Sequence, residues 1–158
     1  AAAVDKLLAS GTDVNVAQGD GMTALHWAAQ QGRLPLVDRL LAAGAQVDPR
    51  TRLALYTPLH LASARGHADV VARLLAAGAS ASAVTGTGVQ PLHLAAQAGS
   101  VEAIAALLAR KADVNAVDGT HGRTPLVFAA SQNRVPAMRA LVAAGADITT
   151  PTRVLDYV

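Results

Sequence analysis

The chain has 158 residues, of which 52% are hydrophobic but only 3% aromatic, so its apolar mass is Ala, Leu and Val. Thirteen basic and eleven acidic residues leave a formal charge of +2, and they are scattered. That argues against the dense basic stripe with interleaved aromatics that a nucleic-acid surface needs. The chain has no cysteine, which excludes disulfides and thiolate metal sites, and no apolar run long enough for a transmembrane helix.

Taken in order, residues 1–15 open with a helical pattern in which Val4, Leu7 and Leu8 share one face and Gly11 supplies a left-handed stop. Aligned on that glycine, the same triplet returns as Val37-Leu40-Leu41, Val71-Leu74-Leu75, Ile104-Leu107-Leu108 and Met138-Leu141-Val142. Residues 1–15 are therefore expected to be the second half of a repeat whose first helix lies upstream. Four full units follow, at 16–49, 50–82, 83–116 and 117–149, with 150–158 as a tail or cap in which Val154, Leu155 and Tyr157 are candidates to cover the last layer.

Each full unit carries a tetrad that reads as the start of its first helix: Thr23-Ala24-Leu25-His26, Thr57-Pro58-Leu59-His60, Gln90-Pro91-Leu92-His93 and Thr124-Pro125-Leu126-Val127. Their spacings are 34, 33 and 34 residues, a period that marks a stacked repeat. Thr is a good N-cap, Pro fits the first helical turn, and Leu begins a buried face. Nine residues after the start of each tetrad stands Gly32, Gly66, Gly99 or Asn133, suited to positive φ in a tight turn between antiparallel helices. Pro35 and Pro136 then fall in the first turn of the second helix. From tetrad to helix-ending position (Gly44, Gly78, Lys111, Gly145) is always 21 residues, as packed layers require. Only the links vary, at 12 or 13 residues, and their Gly-rich tips read as projecting hairpins or loops. Lys111 stands where the other units have Gly, so local strain on the order of 1 kcal/mol, or a different helix end, is expected there.

With Thr57-Pro58-Leu59-His60-Leu61-Ala62, Gly66-His67, Val70-Val71, Leu74-Leu75, Gly78-Ala79 and Ala112-Asp113-Val114-Asn115-Ala116, the chain resembles the ankyrin repeat family over residues 1 to about 149. It departs from the family pattern at Ala24, Gln90, Lys111, Val127 and Asn133. The resemblance implies a mainly α solenoid of helix-turn-helix units with projecting β-hairpins or loops. It also implies a non-enzymatic domain that binds protein through the hairpin tips and the first helices on a concave face. Carried onto this chain, the contact residues are Asp20, Met22, Gln30 and Gln31 in the first full unit and Leu53, Leu55, Tyr56 and Arg65 in the second. The third supplies Thr87, Val89 and Gln97, and the fourth His121, Arg123 and Gln132. The run Leu53-Ala54-Leu55-Tyr56 is unusually apolar for a tip; it is either contact surface or folded back on a neighbouring finger.

His26, His60 and His93 recur once per unit, so they form a ladder and do not converge on one ion. Each is expected to bond the tetrad Thr hydroxyl and nearby loop backbone, tying unit to unit. His67 reads as structural. Trp27 and Phe128, at the place of Leu61 and Leu94, are expected in the core, and Asp38, Arg39, Asp69, Arg73 and Glu102 on a solvated convex face. The stretch from Asp113 to Thr124 fails as a calcium loop, since its fifth, sixth and twelfth positions are Val117, Asp118 and Thr124. No catalytic set, metal site or cofactor motif emerges. The expectation is thus a monomeric protein-binding module, without nucleic acid or membrane partners and cytoplasmic, with periplasmic or secreted placement left open. The alternative is a scaffold or regulatory segment docking in cis on another domain of a longer protein.

Overall fold

A computed structural model describes residues 13–149. The expected opening helix with Val4, Leu7 and Leu8, and the tail with Val154, Leu155 and Tyr157, lie outside the described residues. Within them, eight helices form four pairs: α1 (Ala24–Gln30) with α2 (Leu34–Ala42), α3 (Pro58–Arg65) with α4 (Ala68–Ala76), α5 (Pro91–Ala98) with α6 (Val101–Ala109), and α7 (Pro125–Ser131) with α8 (Val135–Ala143).

The tetrads start these helices, with the Thr57 hydroxyl accepting the His60 N–H at 3.4 Å. Thr23, Thr57, Gln90 and Thr124 are the N-caps of α1, α3, α5 and α7, each in extended conformation. Pro58, Pro91 and Pro125 occupy first turns, where a missing N–H is harmless. Two layers result. The first helices α1, α3, α5 and α7 pack side by side in one row, and the second helices α2, α4, α6 and α8 form the other.

The tetrad leucines Leu25, Leu59 and Leu92 are buried between the layers, against Val37, Val70, Val71, Leu74, Ile104, Leu107 and Leu141 of the second helices. Ala28, Ala62, Ala95 and Ala129, one per unit, are also buried and let the first helices approach closely. The inter-helix turn has positive φ at Gly32, Gly66, Gly99 and Asn133 alike. Lys111 adopts φ 62°, so the helix end keeps its left-handed geometry and the lysine bears the strain.

The links are loops. No residue among those described belongs to a β-strand; each finger is closed by a backbone hydrogen bond across its tip, joined in the first and third by a bond within the turn, Gly21 N–H to Gln18 O and Gly88 N–H to Thr85 O. The four closures run from Gln18 N–H to Met22 O, Thr51 N–H to Tyr56 O, Thr85 N–H to Val89 O and Asp118 N–H to Arg123 O, at 2.9–3.0 Å. A ladder this short satisfies no strand definition, although the turn geometry is that of a hairpin.

Candidate functional site

The fingers are held by the histidines. A backbone N–H can only donate, and those of Thr23, Thr57 and Gln90 point at the Nδ1 of His26, His60 and His93 at 3.1, 3.2 and 3.1 Å. The Thr23 and Thr57 hydroxyls lie 3.0 and 2.8 Å from the same nitrogens. Nδ1 is therefore the acceptor, and the proton sits on Nε2. From there it is donated to the carbonyl just before the next tetrad: Tyr56 O, Val89 O and Arg123 O, at 3.1, 3.2 and 3.1 Å. Each imidazole thus fixes the root of the following finger, the inter-unit tie expected from the sequence. Burial pushes all three below the ordinary histidine range, His60 to about 4, against the opposing pull of their carbonyl bonds. They are neutral at pH 7 and fully engaged in structure.

His67 ties the other end of the first helix. Its Nε2 reaches Gln30 O at 3.2 Å, and its ring packs so closely on Gly32 that a Cβ there would lie 2.7 Å from Nδ1. Arg134 does the same work two units on, donating from Nε to Gln97 O at 3.2 Å.

The tips are laced to one another. Arg52 N–H donates to Asp20 O (2.8 Å), Gly86 N–H to Ala54 O (3.0 Å), and Gly119 N–H to Thr87 O (2.8 Å). The fourth finger is further locked by the buried carboxylate of Asp118, which accepts from His121 N, Arg123 N and the Arg123 guanidinium at 2.8–3.1 Å. Burial alone would raise the Asp118 pKa; the Arg123 and His121 hydrogen bonds outweigh it and hold the carboxyl below its usual range.

On this frame most predicted contact residues fall into two parallel rows. At the tips, Asp20, Leu53, Thr87 and His121 are exposed. At the ends of the first helices, Gln31, Arg65, Gln97 and Gln132 are exposed, with Gln30 half-buried. The finger roots Met22, Tyr56, Val89 and Arg123 are half-buried. Val89 packs on the core, and Arg123 is bound to Asp118 and lies over the Phe128 ring, 4.7 Å from its centroid. The apolar tip divides between its two readings. Leu53 is 94% exposed, while Tyr56 turns back edge-on to His60, ring centroids 5.9 Å apart. Between them lies a cleft of about 290 Å³ walled by Leu53, Ala54 and Tyr56 on one side and Thr85, Gly86 and Thr87 on the other. Leu55, half-buried, has φ 57°, a conformation unusual for leucine.

Trp27 corrects the sequence expectation. It is 41% exposed on α1, whereas Leu94 and Phe128 at the equivalent position are 7% and 8% exposed. The position points away from the second-helix layer, so burial depends on cover from the finger root. Arg123 and the His93 ring, T-shaped to Phe128 with ring centroids 5.0 Å apart, cover Phe128. Trp27 has no comparable ring or cation contact among the described residues. A hint was available: tryptophan is much larger than the leucines at that place and exceeds the space they fill.

The convex face behaves as expected, with Asp69 and Glu102 exposed and Arg73 paired to Asp38 across α2 and α4. No helix among the described residues is long and apolar enough to cross a membrane. A search of curated proteins found no match. The sequence profile described as ankyrin repeats (3 copies) matches residues 1–85 and 59–152. With its paired helices, laced fingers and histidine ties, the chain belongs to the ankyrin repeat family.

Proposed function

We propose that this chain is a non-enzymatic module that binds a protein partner through its finger tips and the free face of its first helices. Ankyrin repeats are in general protein–protein interaction modules, and the particular surface is our reading. One observation carries it: a row of tips joined by backbone hydrogen bonds holds a leucine 94% exposed to solvent. Order of this kind is already present before binding, so little conformational entropy is lost on association. A large apolar side chain held out on a rigid support is what interaction hot spots are made of. The histidines support the non-enzymatic half of the reading, because both ring nitrogens of His26, His60 and His93 are engaged within the stack.

A pull-down comparing wild type with Leu53→Asp, Gln97→Ala and the convex variant Glu102→Lys tests it. The finger and first-helix variants are expected to lose the captured partner at unchanged melting temperature, and Glu102→Lys to retain it. Loss with Glu102→Lys alone would move the binding surface to the second-helix layer.

A further inference from the structure

The carboxylates of the stack lie mostly away from the finger tips, on second helices that also carry Arg39, Arg73 and Arg139. Asp38, Asp69 and Glu102 belong to the second helices. Asp13, Asp48, Asp113 and Asp147 sit at the finger bases, each accepting a backbone N–H at 2.7–2.9 Å. Asp118 is buried and neutralised by Arg123. At the finger tips this leaves a single exposed carboxylate, Asp20, already accepting from Met22 N–H. Against it stand Arg50, Arg52 and Arg65, all exposed and none within reach of a carboxylate among the described residues. All three belong to one unit. Arg50 precedes the finger that carries Leu53, Arg52 is next to Leu53 within it, and Arg65 closes α3, a helix about 12 Å long that starts at the finger root.

The same unit carries the exposed apolar surface. Leu53 projects and Tyr56 backs the cleft between the second and third fingers, with Trp27 open on the adjacent helix. Leu55 holds this tip in a left-handed conformation that glycine would adopt at lower cost. Positive charge, an open cleft and a strained apolar tip thus coincide in the second unit and nowhere else among the described residues. The neighbouring tips present Asp20, Thr87 and His121, so the patch is local. A nucleic-acid backbone requires charge along its whole track, and a short acidic peptide does not.

We infer that the second unit is a subsite for an acidic protein segment bearing a bulky apolar side chain. That side chain seats against Leu53 and Tyr56, and Arg52 and Arg65 take flanking carboxylates. The inference rests on the protein-binding reading above and narrows it to a partner chemistry.

The test is a random twelve-residue peptide library displayed on phage and panned against the full chain. Enriched peptides are then titrated by fluorescence anisotropy, with a twenty-base oligothymidylate as control. Expected are peptides with net negative charge and at least one Leu, Phe or Trp. Their affinity should fall about tenfold or more for Leu53→Asp, and likewise for the Arg52→Glu, Arg65→Glu double variant, at unchanged melting temperature. Raising salt from 50 to 500 mM should also weaken binding. Neutral or basic peptides that still require Gln97 or Leu53 would overturn the acidic assignment and leave the protein-binding face intact. Binders insensitive to every finger and first-helix variant, or no enrichment at all, would count against both. Tighter binding of the oligothymidylate than of any peptide would replace the peptide subsite with a nucleic-acid one.

Discussion

Lowering the pH from 7.5 to 5 should loosen this stack well before its carboxylates titrate. His60 is buried as the neutral tautomer, with Nδ1 facing the Thr57 N–H and Nε2–H donating to Val89 O. A second proton on Nδ1 would oppose the N–H it now accepts. The folded-state pKa is about 4 and the ordinary value 6.5. Because the folded value is the lower one, the unfolded chain binds the proton first. The stabilisation is therefore complete above about 6.5 and is lost as pH falls from there toward 4. At ~1.4 kcal/mol per pH unit, His60 alone removes about 2 kcal/mol by pH 5 and about 3 kcal/mol by pH 4. His26 and His93 are shifted in the same direction and steepen the fall. Asp118, held below the usual carboxylate range, does not contribute in this window. Urea denaturation followed by circular dichroism at half-unit pH steps reads the slope directly. His60→Gln should be less stable than wild type at pH 7.5 and show a shallower pH dependence. Equal wild-type stability at pH 7.5 and 5, or an unchanged slope in His60→Gln, would refute the neutral-ladder argument.

Lys111→Gly should raise stability by about 1 kcal/mol by relieving the left-handed lysine, a gain of ~2–4 °C in melting temperature. Gly78→Ala, at the matching position with φ 98° and nothing within 4 Å of a new Cβ, should lose a similar amount through the backbone alone. Ser63 is buried with its hydroxyl unpartnered, where other units place Ala29, Ala96 and Ala130. Ser63→Ala is expected to gain about 1 kcal/mol in the same denaturation assay. Arg123→Ala strands the buried Asp118 carboxylate and uncovers Phe128, so it should cost ~2–3 kcal/mol. Arg65→Ala should leave the melt within about 0.5 kcal/mol of wild type. Equal effects of these two would mean that Arg123 is not the structural residue its contacts make it.

The architecture was legible in the sequence because it is written in local, repeated chemistry. A Thr-Pro start, a leucine face and a glycine-type stop at constant separation specify a helix pair, and their period specifies stacking. Lys111 kept the expected left-handed geometry because the surrounding hydrogen bonds of the helix end outweigh a strain of about 1 kcal/mol. The histidine ladder followed from spacing too: one imidazole per unit can reach only the next unit. The fingers were a different matter. Met22, Tyr56, Val89 and Arg123 occupy one position in the repeat, yet one covers a phenylalanine, one turns onto a histidine and one packs on the core.

By itself, then, the sequence determined the repeat, its helix ends and the histidine ties between units, all set by contacts within one period. Which side chains remain available to a partner was decided by the tertiary structure. Trp27 and Phe128 share a register but not a neighbour, and Leu53 stands clear while Tyr56, three residues on, folds back. Phe128 lies under Arg123 of its own finger root and against His93 of the preceding unit, and Trp27 has no equivalent cover. No local pattern encodes that cover.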